Sequence, residues 1–110
     1  MPNSKGKKKS NIQVSLKDIG TDLGYKAYLS SLKLDPEDET VRSNNIEGYT
    51  KAVLDSIDPD WKNDNTLYPI EDLIRTAVDR KVSSYHRKKA RDAINTRLRS
   101  RKDNRDLLKQ

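Results

Sequence analysis

Apolar residues recur at helical spacing over three stretches of the chain, 19–32, 41–57 and 70–85. A period of three to four residues is typical of helices that bury one side and expose the other. Thr21 is a suitable N-cap for the first helix, and Asp35 followed by a proline is a typical start for the second. The pattern therefore predicts a small, mainly α-helical domain of three or four helices.

Two breaks are visible in this pattern. SNN at 43–45 is a candidate interruption that ends and recaps the second helix, and DPDWKNDNT at 58–66 has the turn-forming residues of a loop. Pro69 marks the start of the third helix. Its apolar stripe changes side between Tyr85 and Ala90, so either the helix breaks near YHRKK or its second half packs on another subunit. We favour a long basic C-terminal helix that protrudes from the core.

The N-terminal end of the chain differs from its middle. Residues 1–10 are mainly lysine, serine, glycine and proline with little to bury, so we expect a disordered basic arm there. Residues 11–16, NIQVSL, alternate polar and apolar side chains, which is typical of a short strand. The expected organisation is the arm at 1–10, a helical core at 11–85 and a basic helical extension at 86–110.

Composition limits the size of the core. Of the 110 residues, 32% are hydrophobic and 36% are charged, and there is no phenylalanine. Because a chain of this size buries proportionally little apolar surface, its core is thin. We therefore expect a homo-oligomer or a subunit of a larger assembly, in which a partner completes the core.

The net charge of +6 is unevenly distributed along the chain. Residues 1–12 carry +4, and residues 80–110 carry 12 basic and three acidic side chains, or +9. Residues 13–79 carry seven basic and 14 acidic side chains, or −7. Two basic ends thus flank an acidic middle, and such a localised positive field favours a polyanionic partner.

Many of the C-terminal cations share one side of a predicted helix. At about 100° per residue, eight fall within a sector of about 120°: Arg80, Lys81, Arg87, Lys88, Arg91, Arg99, Lys102 and Arg105. The other candidate phosphate contacts are Lys89, Arg97 and Arg101 at this end, and Lys5, Lys7, Lys8 and Lys9 in the arm. Arginine suits phosphates and guanine edges because its donors form a planar fork. Asn95 and Asn104 lie among these cations as candidates for base contacts.

Two other interpretations of the C-terminal charge stay open. It could keep the helix solvated, or it could bind the acidic middle of a neighbouring copy. Phosphate binding differs from both because it releases counterions and weakens steeply with salt. The separate lysine arm at the opposite end favours nucleic acid, and we expect DNA rather than RNA.

The sequence shows no catalytic constellation. His86 is the only histidine and stands beside a run of cations, so we expect a surface hydrogen-bond donor there and not a general base or a metal ligand. The chain has no cysteine, and the carboxylates at 35–39 and 58–64 suit helix caps and turns better than a calcium loop. We expect no enzyme activity, no metal, no cofactor and no small-molecule substrate.

No apolar run is long enough to span a bilayer, and the basic N-terminus lacks the apolar segment of a secretory signal. The absence of cysteine suits a reducing environment. We therefore expect a soluble protein without membrane contact, located inside a cell (cytoplasm, nucleoid or nucleus) or inside a virion.

The segment KKKSNIQVSLKDI, 7–19, resembles the opening of ribbon-helix-helix DNA-binding proteins. In that family a basic arm precedes a strand that pairs with the same strand of a second subunit. The resemblance implies that the outward side chains of the strand, here Asn11, Gln13 and Ser15, enter the major groove. RSNNIEGYTKAVLDSI, 42–57, is similar to the second helix of the family, whose first turn grips the phosphate backbone.

A second segment, DIGTDLGYK at 18–26, is similar to the turn of helix-turn-helix proteins. Gly20 and Gly24 stand in its small-residue and turn positions. This resemblance also implies DNA binding.

The function that these observations favour is non-enzymatic nucleic-acid binding by an oligomer, in a regulatory or packaging role. One alternative is a structural or assembly subunit of a virion or ribonucleoprotein whose basic ends dock on acidic protein surfaces. Another is a ribbon-helix-helix-like transcriptional repressor.

Overall fold

The structure is a computed structural model that describes residues 18–63 and 67–108. These residues form helices joined by turns, with no strand among them. The arm at 1–10 and the predicted strand at 11–16 lie outside the described residues. Five α-helices follow one another in this part of the chain: α1 (Asp22–Ser31), α2 (Glu39–Asn44), α3 (Ile46–Ile57), α4 (Tyr68–Val78) and α5 (Ser84–Leu108), with a short 3₁₀ helix at Trp61–Asn63. The prediction of a mainly α-helical domain is confirmed.

Helix α1 begins where the sequence predicts. The hydroxyl oxygen of Thr21 accepts a hydrogen bond from the backbone N–H of Gly24 at 2.9 Å, so Thr21 is the N-cap. A Cβ at Gly24 would lie 2.3 Å from the carbonyl oxygen of Asp18, so glycine is required there. The chain leaves the helix through Lys33, whose φ of 63° is the left-handed conformation common after helix ends.

The second helical stretch begins later than predicted. Asp35, the expected N-cap, accepts the backbone N–H of Glu37 at 2.9 Å within a turn. Asp38 caps α2 instead, because its carboxylate accepts the N–H groups of Thr40 and Val41. Neighbouring acids share the same helix-start preference, so the sequence pattern does not choose between them.

The predicted interruption at 43–45 is confirmed. Asn45 ends α2 and precedes α3, with a backbone φ of −113° that departs from helical geometry. Its side-chain amide donates to the carbonyl oxygen of Val41 at 2.7 Å. Asparagine favours such local side-chain bonds, which compete with a continuous helix.

The predicted long basic C-terminal helix is confirmed as α5, but its favoured continuity with the preceding helix is wrong. Helix α4 ends at Val78 and α5 begins at Ser84, with a turn over 79–83 between them. The break allows α5 to pack against α4, the most extensive helix pair in this part of the chain. The apolar stripe changes side because it belongs to two helices. Tyr85, expected to extend the α4 stripe, is 63% exposed.

Polar side chains shape the turn between α4 and α5. The Asp79 carboxylate accepts the backbone N–H of Lys81 at 2.9 Å. The Ser83 hydroxyl accepts the N–H of His86 at 3.2 Å, which is an N-cap bond for α5. The turn thus has the cap residues of a new helix although it contains neither glycine nor proline.

A single cluster of buried apolar side chains joins α1, α3, α4 and α5. Helix α5 contributes Ala90 and Ile94, which are 4% and 0% exposed. The core therefore includes α5 residues beyond residue 85, the end of the predicted core. The largest side chains that are fully buried in this cluster are Tyr25, Tyr49, Ile19, Leu29, Leu54, Leu67, Ile70, Ile74 and Ile94.

The turn before α1 is packed closely against α4 and α5. Gly20 has a φ of 78°, a left-handed conformation that glycine adopts without strain. A Cβ on it would lie 3.2 Å from both Ala77 Cβ and Ile94 Cδ1. Its N–H donates to the hydroxyl oxygen of buried Tyr49 at 3.0 Å. This glycine therefore helps to position α5 on the core.

Candidate nucleic-acid interface

Helix α5 has an inner side that packs on the domain and an outer side that faces solvent. Ala90 and Ile94 are buried on the inner side, and Leu98 packs partly buried against the same cluster. These residues are four apart, so they follow one line along the helix. The packing of these three residues on the core fixes the direction in which the remaining side chains of α5 point.

Three arginines lie beside this apolar line, and we call Arg87, Arg91 and Arg101 the inner cations. Each is only partly exposed. The Cγ atom of Arg91 packs against Gly20, and Arg101 Nη2 lies 2.8 Å from the Asp58 carboxylate. Arginine stems can cover apolar surface while their charged groups stay at its edge in contact with water. The inner cations therefore contribute to the fold.

Five other cations of α5 are exposed, and we call them the outer cations: Lys88, Lys89, Arg97, Arg99 and Lys102. Lys88 pairs with Asp92 at 3.1 Å, four residues further along the helix. Lys89 Nζ lies 5.5 Å from the centre of the Tyr85 ring. The other three make no ion pair with any side chain that the structure describes. The outer cations can therefore reach an external anion without breaking the fold.

Arg80 and Lys81 do not lie on α5, because the helix break places both in the turn after α4. Arg80 Nη1 lies 2.7 Å from the Glu39 carboxylate, and Nη2 lies 3.6 Å from Glu37 and 3.9 Å from Asp22. The hydrogen bond to Glu39 raises the pKa of Arg80 above its usual value. This arginine ties the turn to the acidic start of α2.

The predicted cationic sector therefore does not form one exposed face. Arg87 and Arg91 occupy its inner edge, whereas Lys88, Arg99 and Lys102 occupy its outer edge. Arg105 lies in α5, but its side chain falls outside the described part of the chain. Lys5, Lys7, Lys8 and Lys9 of the arm, and Asn11, Gln13 and Ser15 of the predicted strand, also fall outside it.

The signal that separates inner from outer cations was present in the sequence. Ala90, Ile94 and Leu98 mark the side of α5 that packs, and Arg87 and Arg91 fall within about 60° of it at about 100° per residue. A sector drawn through the charged residues alone ignores this apolar line. Once the helix break is known, the line separates Arg87 and Arg91 from Lys88, Arg99 and Lys102 within the predicted sector.

Two arginines of the acidic middle, Arg42 and Arg75, are paired inside the domain. Arg42 is 3% exposed, and its Nη2 lies 2.5 Å from the Asp22 carboxylate. Burial alone would raise the pKa of Asp22, but the hydrogen bond and charge of Arg42 hold it below its usual value. Arg75 Nε lies 2.6 Å from Glu47, and the same guanidinium also bonds Glu71 and Asp72. These ion pairs stabilise helix contacts and leave the outer cations as the main exposed positive surface on the described helices.

A cleft of about 110 Å³ lies between α2 and the turn after α4. Its wall carries Arg42, Arg80 and Lys81, but also Glu39 and Asp79. Because charges of both signs line the cleft, it has no clear preference for an anion or a cation. It is a weaker candidate site than the outer side of α5.

Other kinds of site have little basis in the described residues. His86 is exposed, and its Nδ1 lies 2.8 Å from the Ser83 hydroxyl. Among the side chains that the structure describes, no three from histidine, aspartate or glutamate converge as metal ligands would. No helix there has the length and hydropathy to cross a bilayer.

Comparison of the chain with models of known protein families, with curated proteins and with solved structures finds no match. The resemblances to ribbon-helix-helix and helix-turn-helix proteins stay predictions. The segment at 42–57 is divided at Asn45, and the glycine turn at Gly20 packs against α4 and α5.

Proposed function

We propose that this chain is a non-enzymatic nucleic-acid-binding protein and that the outer cations of α5 are its main phosphate contacts. One observation carries the proposal: over residues 84–102, five cations are exposed beside a single acid, Asp92. No other described helix has a comparable excess of exposed positive charge. A surface of this sign attracts polyanions.

The physical basis of binding is the neutralisation of phosphates. Each lysine or arginine that contacts a phosphate releases condensed counterions, and this release favours the complex at low salt. The outer cations make few internal contacts, so binding costs the domain little. An inner cation such as Arg101 would first have to leave Asp58.

The arm adds a second group of contacts to the proposal. Lys5, Lys7, Lys8 and Lys9 carry four positive charges with no acid nearby in sequence. We expect them to add salt-dependent affinity with little sequence preference. Self-association would multiply the contacts again, because every copy brings its own α5 and arm. Mass measurement in solution, with and without nucleic acid, tests that part of the proposal.

A fluorescence-anisotropy titration tests the proposal. Labelled duplex DNA, duplex RNA and single strands are titrated at about 50 and about 200 mM salt. We expect a dissociation constant of about 1 μM or tighter at the lower salt, with a steep loss of affinity at the higher. The absence of binding to all of these at the lower salt would overturn it.

A pair of matched triple variants locates the interface. One replaces Lys88, Arg99 and Lys102 by glutamine, and the control replaces the exposed lysines Lys33, Lys51 and Lys62, which lie outside α5. Both remove three positive charges. We expect the first to lower the salt dependence (log affinity against log salt) by about two to three and the control to leave it unchanged. Equal losses in both variants would show that net charge, and not this surface, drives binding.

A second candidate function is docking on acidic protein, as in a structural or assembly subunit. It is favoured by the exposed acids at the start of α2, Asp35, Glu37, Asp38 and Glu39, where the α5 of a neighbouring copy would compete with the internal partners Lys26 and Arg80. Salt-sensitive self-association without nucleic-acid binding in the same titration would support this function instead.

A further inference from the structure

The outer side of α5 carries a narrow line of side chains that have more specific chemistry than charge alone. Lys88, Asp92, Asn95, Arg99 and Lys102 are separated by four, three, four and three residues. At about 100° per residue, this spacing places all five in one stripe. All five are exposed. We call this set the outer stripe.

Two members of the outer stripe suit base edges. Asparagine pairs with adenine through N6 and N7, and arginine pairs with guanine through O6 and N7, in each case by two hydrogen bonds. Asn95 and Arg99 stand one helical turn apart at the middle of the stripe. Neither side chain forms a hydrogen bond with another described side chain. Their donors and acceptors are therefore available to a ligand.

Lysines stand at both ends of the outer stripe. Lys88 and Lys102 are 14 positions apart, or about 21 Å along the helix at 1.5 Å per residue. That length corresponds to about six base pairs at about 3.4 Å each. Flexible ammonium groups at this separation suit phosphates on either side of a short run of bases. Along the helix, the side chains therefore suit a phosphate at Lys88, bases at Asn95 and Arg99, and a second phosphate at Lys102.

The shape of the partner follows from the size of a helix. An α-helix with its side chains is about 10–12 Å wide, and the DNA major groove is about 12 Å wide. The major groove of A-form RNA is too narrow and deep for such side chains to read bases. An exposed helix side that presents Asn95 and Arg99 therefore suits duplex DNA better than duplex RNA.

The inner side of α5 holds the stripe in place. Ile94, next to Asn95 in sequence, is fully buried and lies against the Gly20 turn. Leu98, next to Arg99, packs partly buried on the same core. The backbone of the helix is therefore fixed beside both base-reading candidates. A fixed backbone lowers the entropy cost of forming a two-bond contact with a base.

We infer that α5 enters the major groove of duplex DNA and recognises base sequence through Asn95 and Arg99, with Lys88 and Lys102 on the flanking phosphates. This inference rests on the proposed nucleic-acid binding and adds its partner class and its specificity. Asp92 stays paired with Lys88 at 3.1 Å or accepts a hydrogen bond from cytosine N4.

The test begins with selection of bound duplexes from a randomised DNA pool by the full-length chain. Affinities are then measured for the selected duplex, a scrambled duplex, duplex RNA of the selected sequence and a single strand. We expect the selected duplex DNA to bind tightest. Asn95→Ala and Arg99→Lys should each lower the preference for the selected over the scrambled duplex by about 5- to 150-fold. Neither changes the net charge, so the salt dependence should stay the same.

Two control variants accompany these measurements. Ser100→Ala changes an exposed residue of α5 outside the stripe and outside the outer cations, and Asn44→Ala removes an exposed amide on α2. Both variants should keep the full preference for the selected over the scrambled duplex. Thermal unfolding of all four variants identifies any that do not fold.

The outcomes separate this inference from the proposed function. Salt-dependent binding with no selected sequence, or with RNA or single strands preferred, would overturn the inference and leave the proposed function intact. A sequence preference that survives both Asn95→Ala and Arg99→Lys would also overturn it. No binding to any nucleic acid would overturn both.

Discussion

The two sides of α5 carry the same kind of charge in different surroundings. Arg87, Arg91 and Arg101 lie half-buried beside the apolar line, whereas the outer cations stand in solvent. Arg101 is 18% exposed and paired with Asp58 on another part of the chain, whereas Lys88 is 67% exposed and paired only within its own helix. A positive residue on this helix is therefore structural or available for binding according to its side.

The contrast between inner and outer cations shows that charge pattern alone does not locate an interface. The long aliphatic stems of lysine and arginine can cover a core edge, so a basic residue does not always mark a solvent-facing surface. The apolar neighbours decide which role a cation takes. On α5 this boundary passes between Arg87 and Lys88, which are adjacent in sequence.

The largest expected effect of a single substitution falls on the inner side. Ile94→Ala removes a fully buried side chain and should lower the free energy of unfolding by about 2–5 kcal/mol. Lys89→Ala on the outer side should change it by about 0.5 kcal/mol or less. Denaturant titrations measure both. Similar losses in the two variants would contradict the assignment of sides.

A second test addresses the turn that holds the inner side of α5. Tyr49→Phe removes the acceptor for the Gly20 N–H and should cost about 1–3 kcal/mol of unfolding free energy. Denaturant unfolding of this variant at neutral pH measures the loss. A change of less than about 0.5 kcal/mol would show that the bond does not hold the turn.

The same tyrosine makes stability depend on pH. Burial raises the pKa of Tyr49 to about 12 from 10.0, although the Gly20 hydrogen bond opposes the shift. Because the folded state holds the phenol proton more tightly than the unfolded state, the neutral side chain stabilises the fold fully below pH 10. That contribution is lost as pH rises towards 12. Stability measured across this range should fall less steeply for Tyr49→Phe than for the parent chain. Equal slopes of stability against pH in the two chains would show that Tyr49 does not cause the pH dependence.

The ion pairs on the two sides offer a matched comparison. Asp58→Asn removes the carboxylate charge 2.8 Å from inner Arg101 and should cost about 1–2 kcal/mol of unfolding free energy. Asp92→Asn breaks the exposed pair with Lys88 and should cost about 0.5 kcal/mol or less. The reverse order in denaturant unfolding would contradict the account.

The smallest effect concerns binding. Asp92→Asn removes the acid that stands among the outer cations, so repulsion from phosphates decreases. Affinity for a random-sequence DNA duplex should rise by about 2- to 5-fold. Asp60→Asn, an exposed acid outside α5, serves as the control and should leave affinity unchanged. Anisotropy titration at about 50 mM salt measures both variants, and weaker binding by Asp92→Asn would contradict the proposed interface.

Much of the fold could be predicted from local signals in the sequence. The cap at Thr21, the proline start of α4 and the interruption before α3 depend on residues within one turn of the chain, so pattern alone finds them. The choice of Asp38 over Asp35 as a cap depends on how the preceding turn closes. A tertiary contact holds that turn to α1, since Lys26 Nζ lies 2.9 Å from the Glu37 carboxylate.

The candidate site was harder to predict because it depends on the break after Val78. Asp79 and Ser83 supply the turn and cap bonds, but neither residue excludes a continuous helix. With the break missed, Arg80 and Lys81 were grouped with α5, and Arg87 and Arg91 were counted as exposed. Packing of α5 on α4 decides where the helix breaks, and that long-range contact is not encoded in any short segment. Once the break is known, the apolar line of Ala90, Ile94 and Leu98 identifies the inner position of Arg87 and Arg91.

The central claim is that nucleic acid contacts the outer side of α5 and leaves its inner side packed. The most direct test is a heteronuclear NMR titration of the ¹⁵N-labelled full chain with duplex DNA. We expect the signals of Lys88, Asn95, Arg99 and Lys102 to shift, and those of Ile94 and the acidic start of α2 to shift little. Shifts concentrated on Asp35–Glu39, or loss of the core signals on binding, would contradict the account.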